Sequence, residues 1–266
     1  MSMSNFEGKH MTVNTEDLPN GIRLLRLTGS SASQSFSRQS MPVIADAIDQ
    51  AIVDKEVKGL VITGEGRFFS AGADINAFQE SIDANEAPQL IRDLTNILHP
   101  LLIKMRQSPT ITVAAINGAA AGGGLGLALS CDARVASPNA KLAAAYASMG
   151  LSPDGGTTWL LPRLVGEQVA RRFFLQNEIW SGRQARDYGA VDILVENDEA
   201  LLETAIGLAK HWSQWGQHTK EATKHLLHVF ADHDFESHLK HEQTLIEAAG
   251  TTQEFKDGVK SFLKKD

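Results

Sequence analysis

Two segments rich in glycine and alanine, each following an apolar run, constrain this chain more than any other feature. The first covers residues 68–75 and follows the run Gly59–Thr63. The second follows Ile111–Ile116 and contains three successive glycines at residues 122–124. Glycine inside a helix costs up to ~1 kcal/mol relative to alanine, so three together are expensive. Close approach of a ligand to the backbone would explain them, because glycine carries no Cβ.

Apolar periodicity alternates between strand and helix up to about residue 196 and is almost entirely helical after that. Strand and helix units in alternation predict an α/β fold with a parallel sheet. We therefore expect a core over residues 11–197 and a C-terminal helical region over residues 198–266. The predicted elements are a hairpin at 11–28 with an Asn-Gly turn, strands at 59–63, 111–116 and 132–136, helices at 41–53 and 87–105, and four helices at 198–215, 220–230, 235–248 and 251–263.

Composition bounds the possible partners and the cellular compartment. Hydrophobic residues make up 42% of the 266 residues, enough for a sizeable core. The net charge is −7 and no basic run is present, which argues against nucleic-acid binding. A single cysteine, Cys131, excludes an intramolecular disulfide. No apolar run reaches the ~20 residues of a membrane span, and residues 1–10 lack the apolar core of a signal peptide, so we expect a cytoplasmic protein.

The two small-residue segments carry a family resemblance. Residues 71–74 read Ala-Gly-Ala-Asp, and residues 117–124 read Asn-Gly-Ala-Ala-Ala-Gly-Gly-Gly. Their order and spacing, with Pro153 and Asp154 downstream, closely resemble the paired motifs of the enoyl-CoA hydratase/isomerase (crotonase) superfamily. The resemblance runs from about residue 11 to the C-terminus. It implies a crotonase-type ββα spiral core, in the α/β class, with a C-terminal helical oligomerisation region.

The resemblance also implies an acyl-coenzyme A substrate and names the groups that polarise it. In the family each loop gives one backbone N–H to the thioester oxygen, and the matching residues here are Ala73 and Gly123. Two such donors stabilise the negative charge of an enolate, especially when one lies at a helix N-terminus. Coenzyme A would enter as part of the substrate, with no tightly bound cofactor and no metal.

The acid–base group is the point at which this chain departs from the hydratases of the family. Those enzymes carry two glutamates, at positions where this chain has Gly126 and Tyr146. Neither residue can replace a carboxylate as a base near neutral pH. Asp154 remains, in a Pro-Asp-Gly-Gly-Thr-Thr segment that resembles the single-aspartate isomerases, such as ring-1,2-epoxyphenylacetyl-CoA isomerase, with a slightly different Gly-Thr order. One carboxylate suffices to move a proton between two carbons, so we predict an enoyl-CoA isomerase.

The resemblance supplies further candidates for binding the substrate. Tyr146 is expected to line the acyl pocket, to hydrogen-bond the substrate or to pack in the core, and Arg67 and Lys260 to meet a coenzyme A phosphate or to be solvated. His99 is interpreted as a structural residue near a helix end, and the pairs His225/His228 and His238/His241 as solvated helix faces. Residues expected to hold the coenzyme A moiety, mostly through their backbone, are Ala71, Asp74, Ile75 and Gly122.

Three other functions stay open at this point. An enoyl-CoA hydratase would need an acid other than the two glutamates. A hydrolase or dehalogenase would use Asp154 as a nucleophile that attacks the acyl ring, and the presence of Tyr146 and His99 keeps this alternative open. A catalytically silent coenzyme A-binding protein would keep the loops without turnover. In each case family members form trimers, commonly stacked into hexamers, so we expect a homotrimer or a hexamer.

Overall fold

The structure is a computed structural model that describes residues 12–28 and 35–264. The predicted hairpin at its start is confirmed: two antiparallel strands pair from Thr12 with Thr28 to Leu18 with Ile22. Asn20 and Gly21 form the turn with φ angles of 69° and 73°. Asparagine and glycine adopt this left-handed region most readily, which is why the pair predicts a hairpin. Residues 1–10 lie outside the described residues.

Two sheets and a set of helices make up the described chain. The strands are β1 (Thr12–Leu18), β2 (Ile22–Thr28), β3 (Gly59–Thr63), β4 (Phe68–Ser70), β5 (Ile111–Ile116), β6 (Ala119–Ala121), β7 (Ala133–Ala136), β8 (Lys141–Ala143), β9 (Ile179–Ser181) and β10 (Ile193–Leu194). The helices are α1 (Ser40–Val53), α2 (Ile75–Asp83), α3 (Ala87–Gln107), α4 (Gly123–Ser130), α5 (Thr157–Val165), α6 (Glu167–Leu175), α7 (Gly182–Tyr188), α8 (Ala200–Ser213), α9 (Gln217–Val229), α10 (Phe235–Ala249) and α11 (Gln253–Leu263).

The larger sheet has the strand order β1-β2-β3-β5-β7-β10. All its pairings except that of β1 with β2 are parallel, so the predicted parallel sheet is confirmed. Every residue of β3 and β5 is buried. Strands buried on both faces read as continuous apolar runs rather than as alternating patterns, which is the pattern that the sequence shows.

The smaller sheet has the order β4-β6-β8-β9 and was not predicted. We interpreted residues 68–74 as a loop, but residues 68–70 form β4, which pairs in parallel with β6. A strand of three residues is too short to show an apolar alternation, so its sequence resembles a loop. The pairing of β4 with β6 brings the ends of the two small-residue segments side by side.

Helices cover both faces of the larger sheet. Helix α8 packs on β5, and its residues Leu201, Ala205 and Ala209 share a buried cluster with Val61 and Val113. The four predicted C-terminal helices are confirmed as α8 to α11, whereas the division of the chain at residue 197 stays a prediction. In the described part of the chain, no helix combines the length and the apolar character that a bilayer crossing requires.

Candidate active site

The first small-residue loop connects β4 to α2. Gly72 has a φ of +78°, which favours glycine, and Asp74 ends the loop as the N-cap of α2. The Asp74 carboxylate accepts the backbone N–H of Asn76 at 2.8 Å and the Ser35 hydroxyl at 2.9 Å. The Asp74 side chain therefore caps the N-terminus of α2. Ala73 lies between Gly72 and this N-cap residue.

The second loop lies against the first, backbone to backbone. Gly122 has φ 52° and ψ −126°, a combination that only glycine adopts readily, and it is followed by the first turn of α4. A Cβ on Gly72 would lie 2.7 Å from the Ala121 carbonyl oxygen and 3.0 Å from the Gly123 nitrogen. Only a glycine at residue 72 therefore allows the loops to pack this closely.

The backbone N–H groups of Ala73 and Gly123 are the two donors that the family resemblance assigns to the thioester oxygen. Neither donates a hydrogen bond to any residue in the described ranges. Gly123 is the first residue of α4, so its N–H lies at the positive end of the helix dipole. Both residues line one cavity. Two free donors at the wall of a cavity can bind an oxygen that carries negative charge.

The cavity has a volume of about 320 Å³ and takes its walls from α1, α2, α3, both loops and the segment before α5. Of the predicted site residues, Arg67, Asp74 and Lys260 do not line it. Arg67 and Lys260 are exposed, on the turn before β4 and on α11, and their contact with coenzyme A stays a prediction. The predicted residues that do line the cavity are Ala71, Ala73, Ile75, Gly122, Gly123, Tyr146 and Asp154.

Tyr146 and Asp154 form a hydrogen-bonded pair at the wall of the cavity. The Tyr146 hydroxyl donates to Asp154 Oδ1 at 2.8 Å. Burial, followed by the negative charge of Asp154, raises the pKa of Tyr146 above its usual value. The phenol therefore stays protonated and remains a donor. In the structure, Tyr146 is a buried residue at the wall of the cavity, and a hydrogen bond from its hydroxyl to a substrate stays a prediction.

His99 lies on the other side of Asp154, a proximity that sequence reasoning missed. Its Nε2 is 3.8 Å from Asp154 Oδ2, and its side chain is 47% exposed. We placed His99 near a helix end because Pro100 follows it, but α3 continues to Gln107 with the proline inside the helix. In the structure, His99 lies one turn after Thr95 on the same face of α3, and Thr95 lines the cavity, an arrangement that no motif in the sequence indicates.

A tight turn holds the backbone of Asp154. Gly155 and Gly156 have φ angles of 58° and 71°, and the Thr157 hydroxyl donates to the Asp154 carbonyl oxygen at 2.8 Å. Gly156, and not Thr157, is the N-cap of α5. Thr157 instead fixes the turn that presents the Asp154 carboxylate.

Gly126 of α4 packs against this turn. A Cβ on Gly126 would lie 2.4 Å from the Gly155 carbonyl oxygen and 3.1 Å from the Gly155 Cα. Real Cβ atoms do not approach backbone atoms this closely, so any side chain here requires the turn or α4 to move. This is one of the two positions at which hydratases of the resembled family carry a glutamate.

Histidine and cysteine residues outside the cavity show no chemistry of their own. Within the described residues, no group of three or more His, Cys, Asp or Glu side chains is arranged to hold a metal ion. His228 is partly buried and accepts a hydrogen bond from Arg106 at 3.1 Å, and the His233 and His241 rings are 4.6 Å apart. The interpretation of the histidine pairs as solvated faces is therefore wrong for His228, and also for His238, whose side chain is 18% exposed. Burial raises the pKa of Cys131 to about 12, which keeps it a neutral thiol.

Comparison with known proteins decides the family. A family model described as enoyl-CoA hydratase/isomerase matches residues 17–266. The chain belongs to the enoyl-CoA hydratase/isomerase family. The crystal structure of an enoyl-CoA hydratase from Polaromonas sp. JS666 superposes with a TM-score of 0.87 at 27% identity, covering 96% of this chain and 97% of that one. The predicted crotonase-type α/β fold is confirmed.

Relatives within the enoyl-CoA hydratase/isomerase family carry different activities in their names. A protein named probable enoyl-CoA hydratase of Bacillus subtilis (strain 168) is 33% identical over 233 residues, 88% of this chain and 89% of that protein. The 1,2-epoxyphenylacetyl-CoA isomerase of Escherichia coli (strain K12) is 31% identical over 246 residues, 92% of this chain and 93% of that protein. Overall similarity therefore supports enoyl-CoA chemistry without distinguishing hydration from isomerisation.

Proposed function

We propose that the protein is an enoyl-CoA isomerase that shifts a double bond along the acyl chain of a coenzyme A thioester, with Asp154 as the acid–base group. The observation that carries the proposal is the single carboxylate of the cavity. Among the described residues that line it, Asp154 alone has a carboxyl group. The contact of Gly126 with Gly155 leaves no space for a second carboxylate from α4.

The free N–H groups of Ala73 and Gly123 receive the thioester oxygen in this proposal. When a proton leaves the α- or γ-carbon, its bonding electrons delocalise onto that oxygen and form a dienolate. The two donors stabilise the new charge, and the position of Gly123 at the start of α4 adds the favourable helix dipole. The stabilisation acts on the transition state more than on the uncharged thioester, as catalysis requires.

Asp154 takes the proton from one end of the three-carbon unit and returns it at the other. The carboxylate becomes a carboxylic acid when the dienolate forms, and it becomes a carboxylate again when the double bond has moved. No water enters or leaves, so the atoms balance without a co-reactant. The hydrogen bond from Tyr146 holds Oδ1 and leaves Oδ2 to reach the substrate. A carboxylate with a fixed orientation loses less entropy when it reaches the transition state.

The proposal extends to binding partners and assembly. Coenzyme A is part of the substrate, with Arg67, Asp74 and Lys260 near its polar end, and no other cofactor takes part. A homotrimer or hexamer of a cytoplasmic enzyme would cover the apolar side chains that the C-terminal helices expose. Among these side chains are Phe235, Ile246, Phe255 and Phe262.

Asp154→Asn tests the function, because it keeps the shape of the side chain and removes the base. We expect loss of 3-enoyl-CoA isomerisation by at least about 100-fold, since a positioned base contributes about 100- to 10,000-fold. Protection against thermal unfolding by a saturated acyl-CoA should persist. Asp187→Asn, an exposed aspartate on α7, is the matched control. Unchanged turnover in Asp154→Asn would remove Asp154 from the mechanism, and binding without any turnover by the wild type would indicate a silent coenzyme A-binding protein.

The position of His99 supports a second candidate, a hydrolase or dehalogenase. Here an Asp154 oxygen would bond to an aryl carbon of the acyl group while the leaving group departs with its electron pair. His99, 3.8 Å from Asp154 and partly exposed, would then activate a water to hydrolyse the resulting ester. Intact-protein mass spectrometry of His99→Gln with a halobenzoyl-CoA distinguishes the two functions. A trapped aryl ester on Asp154 would favour this candidate, and its absence would favour the isomerase.

A further inference from the structure

The inner wall of the cavity is almost entirely hydrocarbon. Met41 of α1 and Leu94 and Leu98 of α3 are buried there, together with Phe36. Phe78 of α2 is half-buried against the same apolar cluster. All of these side chains except Phe36, which forms an isolated bridge with Ala73, lie on helices packed against the core, so most of the wall is preformed. The acyl group of a thioester held at Ala73 and Gly123 has to lie against this wall.

Apart from the two backbone donors at Ala73 and Gly123, which take the thioester oxygen, the cavity wall offers an anionic group no partner. Among the described residues that line the cavity, only Asp154 has an acidic or basic side chain, and it is a carboxylate. The hydroxyl hydrogens of Tyr146 and Thr95 are engaged, the first at Asp154 and the second at the Ile91 carbonyl oxygen at 2.9 Å. Ser148 and Ser152, which also line the cavity, are exposed to solvent. A carboxylate at the inner wall would lose its water and meet neither a cation nor a free donor.

The volume of the cavity limits the size of the acyl group. At about 320 Å³, the cavity lies at the lower end of the range of ligand-binding pockets, which is about 300–1,000 Å³. This corresponds to a medium-length chain or to an aryl-acyl group, rather than to a two-carbon or a very long acyl chain.

We infer that the protein selects coenzyme A thioesters of uncharged, medium-length hydrocarbon or aryl acyl groups and rejects acyl groups that carry a second, terminal carboxylate. The inference rests on the proposed function only in taking the cavity as the acyl site. Helix α3 determines the specificity, because Leu94, Thr95 and Leu98 form one face of the wall. Thr95 is the half-buried position at which a single change can place a charge there.

Binding of thioesters that cannot isomerise provides the test. Isothermal titration calorimetry compares acetyl-CoA, decanoyl-CoA and the coenzyme A monoester of decanedioic acid, which are all saturated. We expect decanoyl-CoA to bind wild-type protein at least about tenfold more tightly than acetyl-CoA, from burial of the chain. The ω-carboxylate ester should bind about 100-fold more weakly than decanoyl-CoA, the effect of an unpaired charge in an apolar site. Equal affinity for the last two esters would overturn the inference.

A pair of variants at residue 95 tests the cause of the selection. Thr95→Arg places a cation at the wall and should improve binding of the ω-carboxylate ester about tenfold or more. Thr95→Gln is the matched control, a long side chain without charge, and should give a much smaller gain. Equal gains in both variants would contradict an electrostatic cause.

The two proposals fail separately in these experiments. The saturated esters contain no double bond, so their affinities do not depend on isomerisation. Wild-type preference for decanoyl-CoA with no isomerisation of any enoyl-CoA would overturn the proposed function and leave the specificity standing. Isomerisation with equal affinity for the neutral and charged esters would overturn the specificity and leave the proposed function standing. The wild-type comparison decides the inference even if a residue 95 variant does not fold.

Discussion

Substitution of Gly126 by alanine should destabilise the protein and impair turnover, although alanine is the better helix former. In an open helix position the change would stabilise the protein by up to ~1 kcal/mol. At Gly126 the structure predicts destabilisation instead, because the new methyl group would lie 2.4 Å from the Gly155 carbonyl oxygen. The oxygen belongs to the backbone of the turn after Asp154, so no side-chain rotation can relieve the contact.

The expected magnitude follows from the cost of overpacking. Forcing a methyl group into a packed site costs about 1–3 kcal/mol. For a chain of this size each kcal/mol lowers the melting temperature by about 2–4 °C, so a fall of about 2–12 °C is expected. The turn has to shift by on the order of 1 Å to restore a normal contact, and misplacement of a catalytic group by that distance can cost about 100-fold in rate.

Thermal unfolding and isomerase kinetics measured on the same samples provide the assay for Gly126→Ala. Gly207→Ala on α8 is the matched control, because a Cβ there meets no atom within 4 Å. The control should keep or slightly raise the melting temperature. A Gly126→Ala variant as stable and as active as the wild type would refute the argument that the backbone of the turn occupies the site of the missing glutamate.

Three further perturbations probe the site and the core around it. Tyr146→Phe should lower kcat about tenfold with a smaller change in KM. A hydrogen bond to a charged group contributes ~1.5–3 kcal/mol, and we take the lower end because the Asp154 carboxyl is 35% exposed. Wild-type kcat in this variant would contradict the positioning role of Tyr146. Cys131 should not react with a thiol reagent at pH 8 until the protein is denatured. Because its folded pKa of about 12 lies above its unfolded value, its contribution to stability is complete below about pH 9 and is lost as the pH rises towards 12. Lys224→Met should lower the free energy of unfolding, measured in urea, by about 3 kcal/mol. In the wild type, Lys224 Nζ lies 2.9 Å from the partly buried Asp132 carboxylate, and the variant leaves that carboxylate without this cation. An unchanged urea midpoint would contradict a stabilising role for the pair.

Sequence periodicity predicts the larger sheet and the long helices because each presents enough residues to form a pattern. The continuous apolar runs of β3 and β5 and the 21 residues of α3 are examples. The smaller sheet escapes prediction because β4 and β6 have three residues each, mostly small ones. Its pairing depends on contacts between segments about fifty residues apart in the chain, which local patterns do not record.

In the candidate site, the residues that belong to motifs are predicted from the sequence, whereas their contacts with one another are not. Ala73, Gly123 and Asp154 are predicted from motifs, and the structure places all three at one cavity. The partners of Asp154 are not predicted. The hydrogen bond from Tyr146 depends on the positive φ angles of the turn that follows Asp154, and the proximity of His99 depends on how α3 passes the cavity. Such contacts follow from tertiary packing rather than from residue spacing.

The most direct test of the single-base isomerase is incubation of the wild-type protein in deuterated buffer with a medium-length 3-enoyl-CoA and, separately, with the 2-enoyl-CoA. Mass spectrometry and chromatography then follow the position of the double bond, the deuterium content and any gain of water. The account predicts interconversion of the two isomers with deuterium incorporation and without addition of water, because Asp154 exchanges its proton with solvent between turnovers. Gain of one water by the 2-enoyl-CoA would contradict it and would show that a hydratase acts here without the two glutamates.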